Sequence, residues 1–254
     1  MATYSIIIPT LGRTSSLRDC LESIWSQTNQ DSEIITVTEK GPLATLRNHG
    51  ARMANGKYLC FIDDDVICEP QWLDAISEGF RKGYAGVSGP AVIPPEYRKQ
   101  RDIFKYEWIA RLFASSKEVG KLTKAGTWTR GASRADCSYE GEVDYLEACN
   151  MAFRADAFWE VGGFDEKFEG VGDWSEPDLC CRLRSFGYKL FFKNAARLEH
   201  HPSQTGAYTK RLKKCSRLEN YELFSRRWVK PCWQHSLHKW TLKQYINFKE
   251  KGWL

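Results

Sequence analysis

Short unbroken apolar runs and helical apolar stripes alternate along the first hundred residues. YSIIIP at 4–9 is a run ended by a proline, the pattern of a strand buried on both faces. SSLRDCLESIWSQ follows, with Leu17, Leu21, Ile24 and Trp25 at helical spacing behind serines suited to an N-cap. EIITV at 33–37 predicts a second strand, and Pro42 opens a second helix carrying Leu43, Leu46 and Met53. YLCFI at 58–62 predicts a third strand. Pro70 opens a third helix with Trp72, Leu73, Ile76 and Phe80, and AGVSGPAV reads as a fourth strand. Strand and helix in strict alternation imply a parallel sheet with helices on both faces, whose ligands sit beyond the carboxyl ends of the strands.

Residues 94–144 are less regular. A helical stretch, DIFKYEWIARLFASS, precedes a polar Gly/Ser/Thr-rich stretch with the composition of a binding loop or lid, or equally of a mobile surface excursion. Order returns with YLEACNMAF, a GGFDE turn, the helix EPDLCCRLRSFG, and the strand-like pieces KLFFK and ARLEHH. From Lys210 a basic stretch repeats Leu212, Cys215, Leu218, Tyr221, Phe224 and Trp228 every three or four residues. These patterns divide the chain into an α/β domain at 1–204 and a basic helical extension at 205–254.

Composition adds bounds. The 254 residues are 42% hydrophobic and include 10 Trp, enough for a sizeable core, which excludes general disorder. The net charge of +5 permits an anionic partner, yet no nucleic-acid motif accompanies it, so nucleic acid is not expected. Nine cysteines, an odd number without a CxxC, fit a reduced compartment better than a disulfide framework or a zinc site. The N-terminal apolar run is too short for a signal peptide, and no stretch reaches the roughly 20 apolar residues of a membrane span. A cytoplasmic protein is expected. The basic amphipathic tail either lies on an anionic membrane face or packs on the domain with its charges in water.

The chemistry enters at CFIDDDV, 60–66, where three carboxylates end an apolar strand. Alternation in extended chain turns Asp63 and Asp65 to one side and Asp64 to the other. Two converging carboxylates suit a hard divalent cation such as Mg2+ or Mn2+; a solvated acidic turn is the alternative.

Four stretches in order, SIIIPTLGR, GPLATLRNHGARMANGKYLCFIDDDV, NMAFRADAFWEVGGFDEKF and EPDLCCRLRSFGYKLFF, resemble the family 2 glycosyltransferases of GT-A fold across residues 4–201. The resemblance implies a GT-A (Rossmann-like), mostly parallel sheet. It also implies inverting transfer of a sugar from a nucleotide-sugar donor to an acceptor hydroxyl on a glycan, polysaccharide or lipid. Asp65 is then a ligand of Mn2+ or Mg2+, with Asp63 or Asp64 at the metal shell or the ribose. His200, in Ala196-Arg197-Leu198-Glu199-His200, completes the metal site. The family's base position falls on Glu176, where serine replaces the preceding acid, and Asp178 is the reserve. The family's acids at the end of the second strand are here Thr38-Glu39, leaving Glu39 for the base or ribose. Thr10, Arg13 and Arg47 are nucleotide-pocket candidates by position, Arg182 a partner for the helix, Asp165 a cap, and Trp174 a sugar-stacking candidate or a core residue. A non-catalytic nucleotide- or glycan-binding module is the rival.

Overall fold

The computed structural model describes residues 2–12, 14–97, 118–123, 126–129, 131–133, 135–202 and 216–231. The helix expected at DIFKYEWIARLFASS, the start of the basic tail and its last two dozen residues lie outside them, as does Arg13. Within the rest, β1 (Tyr4–Pro9), α1 (Thr14–Trp25), β2 (Ser32–Val37), α2 (Leu43–Met53), β3 (Tyr58–Ile62), β4 (Val66–Cys68) and α3 (Trp72–Arg81) follow the predicted alternation. The expected fourth strand is two. Gly89-Pro90 breaks it into β5 (Gly86–Ser88) and β6 (Ala91–Val92), which belong to different sheets. Then come β7 (Gly141–Val143), β8 (Asn150–Arg154), α4 (Ala155–Glu160), α5 (Ser175–Ser185), β9 (Leu190–Phe192), β10 (Leu198–His200) and α6 (Ser216–Trp228).

Seven strands form the main sheet in the order β2-β1-β3-β8-β5-β9-β7. β1 pairs in parallel with β2 and β3, and β5 with β9, while β8 and β7 run antiparallel to their neighbours. The sheet is thus mostly parallel in direction, as expected. β4, β10 and β6 form a second sheet in the order β4-β10-β6.

Strand alternation divides the core. Ile7, Leu59, Phe61, Met151 and Phe153 face one side with residues of α2, α4 and α5. Ile6, Ile8, Cys60, Ile62 and Val87 face the other with Cys20, Ile24, Trp72, Leu73, Ile76 and Phe80 of α1 and α3. Gly50 lets α2 lie against the sheet, since a Cβ there would stand 2.4 Å from Ile7 Cγ2. Trp25 and Met53, expected on apolar helix faces, are instead exposed at the last turns of their helices.

The described cysteines are free thiols, six of the seven buried. Burial, with Asp64 and Asp65 nearby, pushes the Cys20 thiol up to about 12, which makes it a poor nucleophile. In the C-terminal region, Tyr221 and Phe224 of α6 are buried in one cluster with Phe168 and Trp174. At these positions the apolar stripe of the basic helix faces protein.

Candidate active site

β1, β2 and β3 are parallel, so their carboxyl ends share one edge. Thr10 stands at the end of β1. Its amide donates to Val37 O of β2 (2.9 Å) and its hydroxyl to Asp64 Oδ2 (2.5 Å). The triplet lies in the turn between β3 and β4, not in the extended chain expected from the sequence, and the hydroxyl's bond is what ties Asp64 to the end of β1. Asp63 and Asp65 meet His200: one ligand atom from each of the three lies within 4.8 Å of the others. Register accounts for the histidine's place, because β10 pairs antiparallel with β4 and sets His200 opposite Val66, the residue after Asp65. His200 Nε2 is 3.2 Å from Asp65 Oδ1, and its Nδ1 is 3.6 Å from Cys149 Sγ.

The donor set fits a hard or borderline divalent ion: two carboxylates and an imidazole suit Mn2+ and Mg2+. Octahedral ligands at 2.1 Å are about 3 to 4.2 Å apart, so small side-chain rotations close the cluster on an ion. Burial, with Asp65 and Asp64 beside it, holds the Asp63 carboxyl above its usual range despite Arg47 and His200. Such a group gains when a cation arrives.

Arg47 joins this cluster to α5. Its side chain is 1% exposed. Nη1 donates to Glu176 Oε1, and Nη2 to Ala148 O (3.0 Å) with Asp63 Oδ1 at 3.5 Å. Its guanidinium carbon stands 5.5 Å from the Phe164 ring centroid. Glu176 therefore stands one buried guanidinium away from the acidic triplet.

Asp178 has other surroundings. It is fully buried and accepts from Arg182 Nε (2.8 Å), Arg227 Nη1 (3.0 Å) and Trp228 Nε1 (2.8 Å). The latter two belong to α6. Asp165 accepts from the Lys167 amide and from Arg227 Nη2, joining the GGFDE turn to the same cluster. Gly163 takes φ +65° there, and Asn48 of α2 brackets the turn through both polar groups of Phe164.

Trp174 precedes α5 with φ 70°, a left-handed conformation that costs a bulky residue about 1–3 kcal/mol. Its ring is 1% exposed, donates to Gly126 O (2.7 Å) and packs on Tyr221 and Trp128. It is a core residue, closed to sugar stacking. Glu39 is half exposed with His49 Nδ1 3.4 Å away, and His201 pairs with Glu199 and stacks on Tyr97.

Asn150 was not singled out from the sequence. Its side chain accepts from Trp72 Nε1 (2.8 Å) and donates to Pro90 O and Ala196 O, tying β8 to the segments leading into β6 and β10. Cys149, Arg227 and Trp228 were also missed as site-supporting residues. No local pattern marks them, since each acts across 49 residues or more.

The model of glycosyl transferase family 2 matches residues 38–162. A glucosyl-dolichyl phosphate glucuronosyltransferase of Haloferax volcanii is 22% identical, over 79% of this chain and 67% of its own length. The O-antigen biosynthesis protein RfbC of Myxococcus xanthus is 25% identical, over 78% of this chain and 17% of its own length. The chain thus spans between a sixth and two thirds of these relatives. Among solved structures, GalNAc-T7 with UDP, GalNAc and Mn2+ superposes with TM-score 0.64 at 11% identity, covering 99% of this chain and 56% of that one. The mannosyltransferase PcManGT of Pyrobaculum calidifontis, with GDP-Man and Mn2+, gives 0.59 at 14% identity, covering 96% and 73%. These likenesses place the chain in the GT-A fold.

Proposed function

We propose that the chain is a glycosyltransferase of the family whose model it matches, and that it transfers a sugar from a nucleotide-sugar to an acceptor hydroxyl, inverting the anomeric centre. The convergence of Asp63, Asp65 and His200 at the carboxyl end of β3, one arginine away from Glu176, carries this reading. Asp63, Asp65 and His200 would hold Mn2+ or Mg2+, and that ion would absorb charge gathering on the departing diphosphate. Glu176 takes the proton of the attacking hydroxyl; Arg47 keeps its carboxylate oriented and the helix end fixed. Thr10 holds Asp64 through its hydroxyl, and Asp64 and Glu39 would serve the nucleotide's ribose or base. Asp178, with its three donors, positions α5. A lipid-linked acceptor is supported by the name of the Haloferax relative, and a glycan by that of the Myxococcus one. No helix among the described residues is long and apolar enough to cross a membrane.

The test is donor binding. A panel of nucleotide-sugars with Mn2+ should contain one that raises Tm by mass action, and Asp65→Ala should abolish that Mn2+-dependent shift. A shift that survives Asp65→Ala removes the metal role. Binding without release of nucleoside diphosphate from any donor and acceptor would leave a binding module.

A further inference from the structure

A single buried positive charge serves two acidic groups that must act at different moments. Arg47 reaches Glu176 with Nη1, and reaches Ala148 O and Asp63 with Nη2. Its Nε is buried with no hydrogen-bond partner among the described residues, so the guanidinium is engaged but not saturated there. Resting on the metal and base assignments above, we propose that Arg47 is a shared counter-ion that couples occupancy of the metal site to Glu176. With no cation present it neutralises part of the Asp63 charge from 3.5 Å. A divalent ion arriving at Asp63 and Asp65 replaces it there, and repulsion leaves the guanidinium to Glu176 and the Ala148 carbonyl. The acid that receives the proton is then held most firmly when the donor's metal is in place. Arg47 is a positioning residue in this proposal, because it acts through Asp63 and Glu176.

Competition of this kind has a signature that a merely structural arginine lacks. Arg47→Met removes the competitor, so Mn2+ should bind the donor-free protein about tenfold tighter, a factor that a single nearby charge can supply at effective dielectric near 20. Glu176→Gln does the reverse. It releases the guanidinium to Asp63, and Mn2+ should bind roughly threefold more weakly by the same arithmetic. Loss of packing would weaken binding in both variants.

The measurement is titration of the full chain with MnCl2 alone, following the electron paramagnetic resonance signal of free Mn2+, with circular dichroism to verify folding. Opposite shifts in the two variants support the proposal. Shifts of one sign, or none, overturn it while the metal site stands. A wild-type protein that takes up no Mn2+ removes the metal assignment and the coupling together. If Arg47→Met does not fold, Glu176→Gln decides in a double-mutant cycle with Asp63→Asn: its weakening of Mn2+ binding must vanish when Asp63 is already neutral, and a weakening that persists overturns the coupling.

Discussion

Asp178 and Asp63 both face arginine, and they are provided for unequally. Asp178 alone has three donors, two of them guanidiniums, and no exposure. Asp63 shares one guanidinium with Glu176, stands beside two more carboxylates, and is about a third exposed. Both clusters use the same residue types. The ratio of donors to acceptors separates them: where donors match acceptors, the cluster braces the fold, and where carboxylates exceed cations, the site is built for a cation from outside. Glu176, two residues from Asp178 and hydrogen-bonded to Arg47, belongs to the second kind. That is the physical reason for assigning it, and not Asp178, the work of a base.

The widest separation between the clusters is expected in turnover. Glu176→Gln keeps the side-chain volume and removes the proton acceptor. At saturating Mn2+, donor affinity should stay near wild type while kcat falls about 10²- to 10⁴-fold, the usual contribution of a positioned base. Full activity in this variant would move the base to Asp178 and erase the contrast. The next effect is on stability. Asp178→Asn leaves Arg182 and Arg227 facing a neutral group in a buried cluster, at about 3 kcal/mol. In a protein of this size that is a fall of roughly 6–12 °C in Tm, read by thermal melts, with Mn2+ binding unchanged. A variant that melts like wild type but loses Mn2+ would show that the two clusters had been assigned the wrong way round.

Much of this frame could be read in the sequence, because its signals are local. The βαβ alternation and the prolines ahead of α2 and α3 follow from patterns within a few residues, whereas the triplet read as extended chain is the turn between β3 and β4. The break at Gly89-Pro90 was also local and was passed over: AGVSGPAV looked like one strand, but proline removes a ladder donor and the chain changes sheets there. What could not be read is long-range. Position alone made Arg47 a nucleotide-pocket candidate; that it pairs with Glu176, 129 residues later, has no local signal. Trp174 looked available to a sugar because nothing nearby says that α6 covers it. The brace on Asp178 comes from residues 227 and 228, beyond the segment matched by the family model, so the basic tail's pattern gave charge and periodicity without a docking place.

The smallest effect concerns acid, and there the clusters should respond with opposite sign. Burial works against Asp165, yet the Lys167 amide and Arg227 guanidinium hold its carboxyl below the ordinary range. A folded-state value below the unfolded one, near 3.9, means that the stabilisation is present above about pH 4 and is lost as pH falls through the folded value. Asp63 is raised, chiefly by burial and by Asp65. Its contribution is greatest below about pH 4 and is lost as pH rises through the folded value, because the metal-free protein then carries an ill-provided charge. Melting curves of metal-free wild type, Asp63→Asn and Asp165→Asn from pH 3.5 to 7 should therefore diverge in opposite senses. Asp63→Asn should gain on wild type as pH rises, and saturating Mn2+ should reverse that gain. Asp165→Asn should lose to wild type at pH 7 and approach it in acid. If Asp63→Asn instead melts below the metal-free wild type at pH 7, Arg47 already satisfies the triplet, and the excess of carboxylate that distinguishes this cluster from the Asp178 brace does not exist.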